Sequence, residues 1–237
     1  MNGTESRIGT HVRGLDERIG GGIPAGFTVL ICGPSGSLKS SLAFNILYHS
    51  TKDQGLRSLY LSVEQSKESL LGQASSLGLS VEDTDTLNVV DLAKLRRETE
   101  KPEEVNWIAT LQDLLVKYNE EFDPQLLAID SLDALYALSS LKNPRNEIFT
   151  FFESLRDLNL TAFLVSEMPR EGGFFGKHGV EEFLSDGIIH LRLKEVEVGR
   201  TTSVRRFIGI AKMRGTKHEL DYYPLLVDKS GFEVLVE

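Results

Sequence analysis

Residues 27–41 read FTVLICGPSGSLKSS, and this stretch decides the fold. Residues 27–32 form a short, almost unbroken β-prone apolar run, the pattern of a strand covered on both faces. Residues 33–41, GPSGSLKSS, are rich in glycine and serine, and over 39–54 the apolar Leu42, Ala43, Ile46 and Leu47 fall at helical spacing. The order is therefore strand, glycine-rich loop, helix. A loop that cradles phosphates needs glycines that let successive backbone N–H groups face the ligand. It also needs a lysine to reach the β- and γ-phosphates and an adjacent hydroxyl to hold Mg²⁺. Gly33, Gly36, Lys39 and Ser40 supply those parts, with Pro34, Ser35, Ser37, Leu38 and Ser41 completing the segment. The pattern G-x-x-x-x-G-K-[ST] has glycine before the lysine; here Leu38 stands there. The bland alternative is a polar turn preceding an amphipathic helix, and the strand–loop–helix context weighs against it.

Outward from this stretch the alternation continues. Strands are expected over 59–63, 87–90, 126–129 and 161–165, and helices over 66–77, 103–119 and from the Asn143-Pro144 cap onward. The stripe of this last helix is Ile148, Phe151, Phe152 and Leu155. Residues 14–26, GLDERIGGGIPAG, read as loop and turn. Four closing strands, over 187–193, 206–211, 223–227 and 232–236, follow without intervening helices. The fold class is α/β: a mainly parallel sheet flanked by helices, with antiparallel strands added at the C-terminal end. Residues 1–237 read as one domain, of which 1–7 form a polar, flexible tail.

Composition narrows the function. With 26 Lys plus Arg against 35 Asp plus Glu, the net charge is −9, so binding to nucleic acid needs a local basic patch acting against the global field. No apolar run approaches the ~20 residues that span a bilayer, and the start lacks a secretory signal, so a cytoplasmic protein without membrane attachment is expected. Cys32, the one cysteine, sits in an apolar run and reads as a buried structural thiol. His11, His49 and His190 are separated from one another in any metal-ligand spacing, so no zinc site is expected.

Two carboxylates bear on a phosphate loop. Asp130 ends the run LLAID, about ninety residues after Lys39, where nucleotide hydrolases place an acid that orders Mg²⁺ through water. A turn cap is the alternative. Glu64 lies just past the second strand, at the carboxyl edge where α/β folds collect ligands, either as a solvated loop residue or as the group that polarises an attacking water. Residues 169–179, PREGGFFGKHG, mix Arg170, Lys177 and His178 with Phe174 and Phe175, a combination that could hold single-stranded DNA by charge and stacking. A lid or a partner-contacting loop is the favoured reading. Trp107 sits on a helical stripe and reads as core or interface. Glu98, Glu100, Lys101, Glu103 and Glu104 read as a solvated charged loop and helix start.

Residues 8–41, IGTHVRGLDERIGGGIPAGFTVLICGPSGSLKSS, resemble the opening of the KaiC-like branch of the RecA/RadA ATPase superfamily. LYLSVEQS, LLAIDSL, VEEFLSDGIIHLRL and IAKMRGTKHELDYYPLLVDKSGFEV resemble later motifs in the family's order, so that the likeness runs from about residue 8 to 236. The resemblance implies an ATP-binding and ATP-hydrolysing protein that uses Mg²⁺ and assembles as a homo-oligomer, a hexameric ring. It puts the catalytic glutamate at Glu64 and the magnesium-ordering acid at Asp130. From its K-x-R-G-T-x-H stretch it implies that Lys212, Arg214 and His218 reach the nucleotide of a neighbouring subunit. Strand parity, if the β-conformation runs on unbroken, places residues 208, 210, 212 and 214 on one face. Against the family, KaiC carries two such domains and this sequence one, so a clock function is not implied. Leu38 leaves open two readings, an ATPase of slow turnover and a regulatory module that holds ATP unhydrolysed. A recombinase paralogue that binds DNA is a third.

Overall fold

The computed structural model describes residues 6–80, 86–99, 105–139, 141–168, 175–199 and 201–235. In chain order these form β1 (Arg7–Ile8), β2 (Val12–Arg13), β3 (Ile23–Pro24), β4 (Thr28–Gly33), α1 (Lys39–Gln54), β5 (Ser58–Ser62), α2 (Lys67–Ser76), β6 (Leu87–Asp91) and α3 (Leu92–Glu98). There follow α4 (Trp107–Glu121), β7 (Leu126–Asp130), α5 (Leu132–Leu138), α6 (Pro144–Asp157), β8 (Thr161–Glu167) and α7 (Glu181–Leu184). The chain closes with β9 (Gly187–Val198), β10 (Thr201–Met213), β11 (Tyr222–Asp228) and β12 (Gly231–Val234). One ten-stranded sheet runs β2-β12-β11-β10-β9-β4-β8-β7-β5-β6, while β1 pairs with β3 separately.

The pairings from β9 through β4, β8, β7 and β5 to β6 are parallel, and β10, β11 and β12 extend the β9 side in antiparallel fashion. This is the expected α/β architecture. The period-two rule sorts β4 onto two cores: Val29 and Ile31 join Leu42, Ile46 and Leu47 of α1, while Leu30 and Cys32 join Phe151 and Phe152 of α6 and Leu111 of α4. Each fully buried aromatic or aliphatic side chain in these layers contributes ~1.5–3 kcal/mol by removal from water. Cys32 is buried, and burial pushes its thiol well above the usual range, as a structural thiol requires.

Local chemistry explains the helix ends. Asn143 caps α6 by accepting from the Asn146 N–H, with Pro144 in the first turn. Ser66 accepts from the Ser69 N–H at the start of α2, and Gly55 at φ 68° stops α1. Trp107 is buried at the start of α4. Three short helices lie where the sequence predicts no element: α3 and α5, of seven residues each, and α7, of four. In α5 Leu132, Ala134, Leu135 and Tyr136 are all buried, so its sequence carries little of the polar face that announces a helix.

Several expectations need correction. Arg7 is not part of a free tail: it lies in β1 and donates to the Ile19 and Gly22 carbonyls, and Ser6 accepts from the Ala25 N–H. Residues 14–26 contain a 3₁₀ turn (Asp16–Ile19) and β3 rather than loop alone. Residues 208–214 do not alternate unbroken, because the register of β10 with β9 shifts between Ile210 and Lys212, a β-bulge. Met213, not Lys212, therefore rejoins Ile208 and Ile210 in the core. Glu98 ends α3, while Glu100, Lys101, Glu103, Glu104, Arg170 and Phe174 lie outside the described residues.

Candidate functional site

The parallel strands β4, β5, β7 and β8 end side by side, and the loops that leave them build a cleft of about 280 Å³. Among its lining residues are Ser35, Gly36, Leu38, Lys39, Ser40, Ser41, Glu64, Asp130 and Glu167. The expected phosphate loop, the Asp130 strand end and Glu64 thus share one wall, as the carboxyl-edge rule for open α/β sheets requires.

The loop's backbone is set by two glycines. A Cβ on Gly33 would run into the Leu191 carbonyl oxygen and come within 2.9 Å of Ser37 Oγ, and Gly36 has φ 79°. Leu38, where the pattern has glycine, also takes a left-handed conformation, φ 75° and ψ 30°, as the residue preceding α1. The pattern's glycine is therefore a conformational demand that this chain meets with leucine, at a cost of about 1–2 kcal/mol. The side chain is partly buried against the α1 core, which offsets part of that cost.

Lys39 is 8% exposed and its Nζ donates to the Gly33 and Pro34 carbonyls at 3.0 and 3.1 Å, so the ammonium is held inside the loop. Ser37 Oγ donates to the Pro34 carbonyl at 2.8 Å. Asp130 accepts from the Tyr60 hydroxyl at 2.7 Å and from the Ser40 side chain. Its carboxyl nevertheless titrates above the usual range, because burial outweighs these bonds and the attraction of Lys39. Glu64 is likewise raised, first by desolvation and then by the charges of Asp130, Glu167 and Asp133, with Lys39 opposing. A carboxylate held proton-ready beside a phosphate loop is chemically suited to take a proton from water.

For a divalent cation the donor set fits. Carboxylates at 64, 130 and 167 line the cleft, Lys39 is the one cation among its described lining residues, and the Ser40 hydroxyl sits against Asp130. Glu167, Gln65, Gln73 and Ser131 also line the cleft and were not singled out in the sequence. Glu167 could have been, since it ends β8 as Asp130 ends β7. Arg206, whose Nε donates to the Gly36 carbonyl at 3.3 Å from mid-β10, carries no sequence signal, because only the sheet register brings it to the loop.

Lys212, Arg214 and His218 are not in this wall. Lys212 Nζ donates to the Glu182 and Ser185 carbonyls at 2.8 and 2.6 Å; Arg214 pairs with Asp186 at 2.7 Å and donates to the Phe183 carbonyl. Burial, then the charge of Arg214, holds the Lys212 ammonium below its usual range. His218 Nδ1 lies 2.9 Å from the Thr216 carbonyl. Of the basic and aromatic loop at 169–179, Arg170 and Phe174 fall outside the described residues, Phe175 packs edge-on to His190, and His178 packs edge-on to Tyr136.

The separation of His11 and His49 in sequence does not hold in space. Their rings stack at 5.1 Å, and with Asp53 they form a cluster remote from the phosphate cleft. No helix among the described residues is long and apolar enough to cross a membrane.

Comparison with known proteins identifies the family and the fold. The sequence model of the KaiC ATPase family matches residues 8–237. The circadian clock oscillator protein KaiC of Picosynechococcus sp. (strain PCC 7002) is 32% identical over 236 residues, covering 96% of this chain and 44% of that protein. KaiC of Rippkaea orientalis is 31% identical with the same coverage. The chain therefore spans somewhat less than half the length of these relatives. A crystal structure of a KaiC-like protein from the archaeon Pyrococcus horikoshii superposes with a TM-score of 0.82 at 24% identity, covering 98% of this chain and all of that one, and supports the fold.

Proposed function

The chain belongs to the KaiC family of ATPases, a RecA-type P-loop fold, and from that premise we propose that it is a slow, Mg²⁺-dependent ATPase that works as a homo-oligomeric ring. The observation that carries the reading is the convergence of Lys39, Ser40, Asp130 and Glu64 on one cleft at the carboxyl edge of the parallel sheet.

In this reading residues 33–41 wrap the phosphates of ATP with backbone N–H groups, and Lys39 exchanges its two loop carbonyls for β- and γ-phosphate oxygens. Ser40 and Asp130 would hold Mg²⁺, which neutralises charge on the phosphates. Glu64 orients a water in line with the γ-phosphate and accepts its proton. Lys212 and Arg214, with His218, act in trans: in a ring, probed as a hexamer, they would turn from their own α7 segment toward the γ-phosphate of the adjacent subunit. Turnover is expected at or below about 1 s⁻¹, the low end of the enzyme range.

A second reading has one specific observation in its favour. Leu38 holds a left-handed conformation that glycine adopts freely, and a loop built this way fits a regulatory module that binds ATP without hydrolysing it. DNA binding is not favoured, given the net charge of −9. Calorimetric titration with Mg·ATP and ADP tests the site itself: Lys39→Ala is expected to weaken binding markedly, and unchanged affinity rejects the assignment. Phosphate release, with and without single-stranded DNA, then separates the three functions.

A further inference from the structure

The far end of α1 carries chemistry that nucleotide binding leaves unused. His49 and Asp53 are one turn apart on this helix, so both side chains stand on the same face. His11, at φ 53° between β1 and β2, stacks on His49 from the amino-terminal segment. His49 Nδ1 lies 3.3 Å and His11 Nδ1 4.0 Å from the same Asp53 oxygen, Oδ2, and one ligand atom from each residue falls within 4.8 Å of the other two.

We propose that His11, His49 and Asp53 form a binding site for a first-row divalent transition cation of the Zn²⁺ class. Ligand atoms about 2.0–2.1 Å from a tetrahedral zinc lie about 3.3 Å apart. His49 and Asp53 already have that separation, and His11 reaches it by a movement of under about 1 Å on its Asp53 side. Two imidazoles and one carboxylate are the donor set that suits this cation class, with water in the fourth place. The outer contact is present too: His11 Nε2 lies 3.4 Å from Ser50 Oγ, which would fix the ring with Nδ1 facing the metal.

The surroundings favour a cation. Asp16 and Glu17 line the same hollow of about 370 Å³. Arg13, the one basic chain besides the histidines among the described residues of that lining, is paired at 2.9 Å with Glu233. A bound ion would tie the amino-terminal segment to the last turn of the helix that starts at the phosphate loop. The competing account is that Asp53 alone bridges the two imidazoles by hydrogen bonding.

The test is isothermal titration of the full, tag-free and nucleotide-free chain with Zn²⁺, together with the visible absorption of the Co²⁺ form. The parent is expected to bind one equivalent and to give the intense spectrum of a tetrahedral cobalt site. His11→Ala and His49→Gln are each expected to weaken binding by more than about 100-fold, exceeding what loss of an outer contact costs. His178→Ala, which changes a histidine packed edge-on against Tyr136 instead, should leave it unchanged. Unfolding midpoints in EDTA establish that the variants fold, and Zn²⁺ should raise the midpoint of the parent and of His178→Ala but not that of the two ligand variants. A parent that takes up no ion, or ligand variants that bind as the parent does, overturns the proposal in favour of the hydrogen-bonded bridge.

Discussion

Replacing Leu38 measures what the phosphate loop demands of its backbone. At φ 75° and ψ 30° an L-residue carries about 1–2 kcal/mol of steric cost that glycine escapes. Leu38→Gly removes that cost, but it adds about 0.5–1 kcal/mol of chain entropy and forfeits roughly 1 kcal/mol of partial side-chain burial. The terms nearly cancel, so Leu38→Gly should lie within about 1 kcal/mol of the parent. Leu38→Ala keeps the left-handed cost and loses the burial as well, so it should be less stable than Leu38→Gly by about 0.5–1 kcal/mol. That order reverses the ordinary one, in which alanine at a helical position beats glycine by a similar amount. Urea unfolding of the two variants, compared at equal slope, reads the difference directly. An alanine variant as stable as the glycine variant would refute the conformational account of position 38. If leucine also restrains the site, Leu38→Gly raises the rate of phosphate release, whereas a fall would mean that the pocket is fitted to leucine.

Other outcomes follow from the same geometry. Asp130 is an acid whose folded-state pKa lies above its unfolded value, so its contribution favours folding at low pH and is lost as pH rises through that window; Asp130→Asn should therefore stabilise the chain at neutral pH while weakening Mg²⁺-dependent nucleotide binding, and a destabilised variant contradicts this. His190, buried beside Tyr222 and Arg192, has its pKa lowered from 6.5 to about 4, so the folded state binds the proton less tightly and stability should fall as pH drops from about 6.5 toward 4. His190→Gln should flatten that limb in thermal melts across pH, and an unchanged limb assigns it elsewhere. Mixing Arg214→Ala subunits with Lys39→Ala subunits should restore part of the ATPase activity if the finger acts in trans; mixed oligomers, confirmed by light scattering, that remain inactive exclude a shared site.

Strong periodicity made most of the fold legible in sequence. The doubly buried runs at 27–32 and 126–129 and the capped helix at 143–144 appear in the structure within a residue or two of their expected bounds. What escaped were features without a local period: the short helices α3, α5 and α7, and the bulge after Ile210 that turns Lys212 away from the core face. At the candidate site, the gathering of Gly36, Lys39 and Ser40 in one loop was readable because a strand, a glycine-rich loop and a helix follow one another directly in sequence. Arg206 and the pairing of His11 with His49 were not, since tertiary packing alone brings such distant positions together.

The central claim is that Glu64 turns over ATP held by the phosphate loop, and Glu64→Gln addresses it most directly. Phosphate release is followed beside ATP affinity in the parent and in the variant. The raised Glu64 carboxyl places the acid limb of the parent's rate above the usual carboxylate range, with activity rising as the group ionises. The account predicts that the variant binds ATP as the parent does and releases no phosphate at any pH. Release at the parental rate from a variant that binds ATP normally would contradict it.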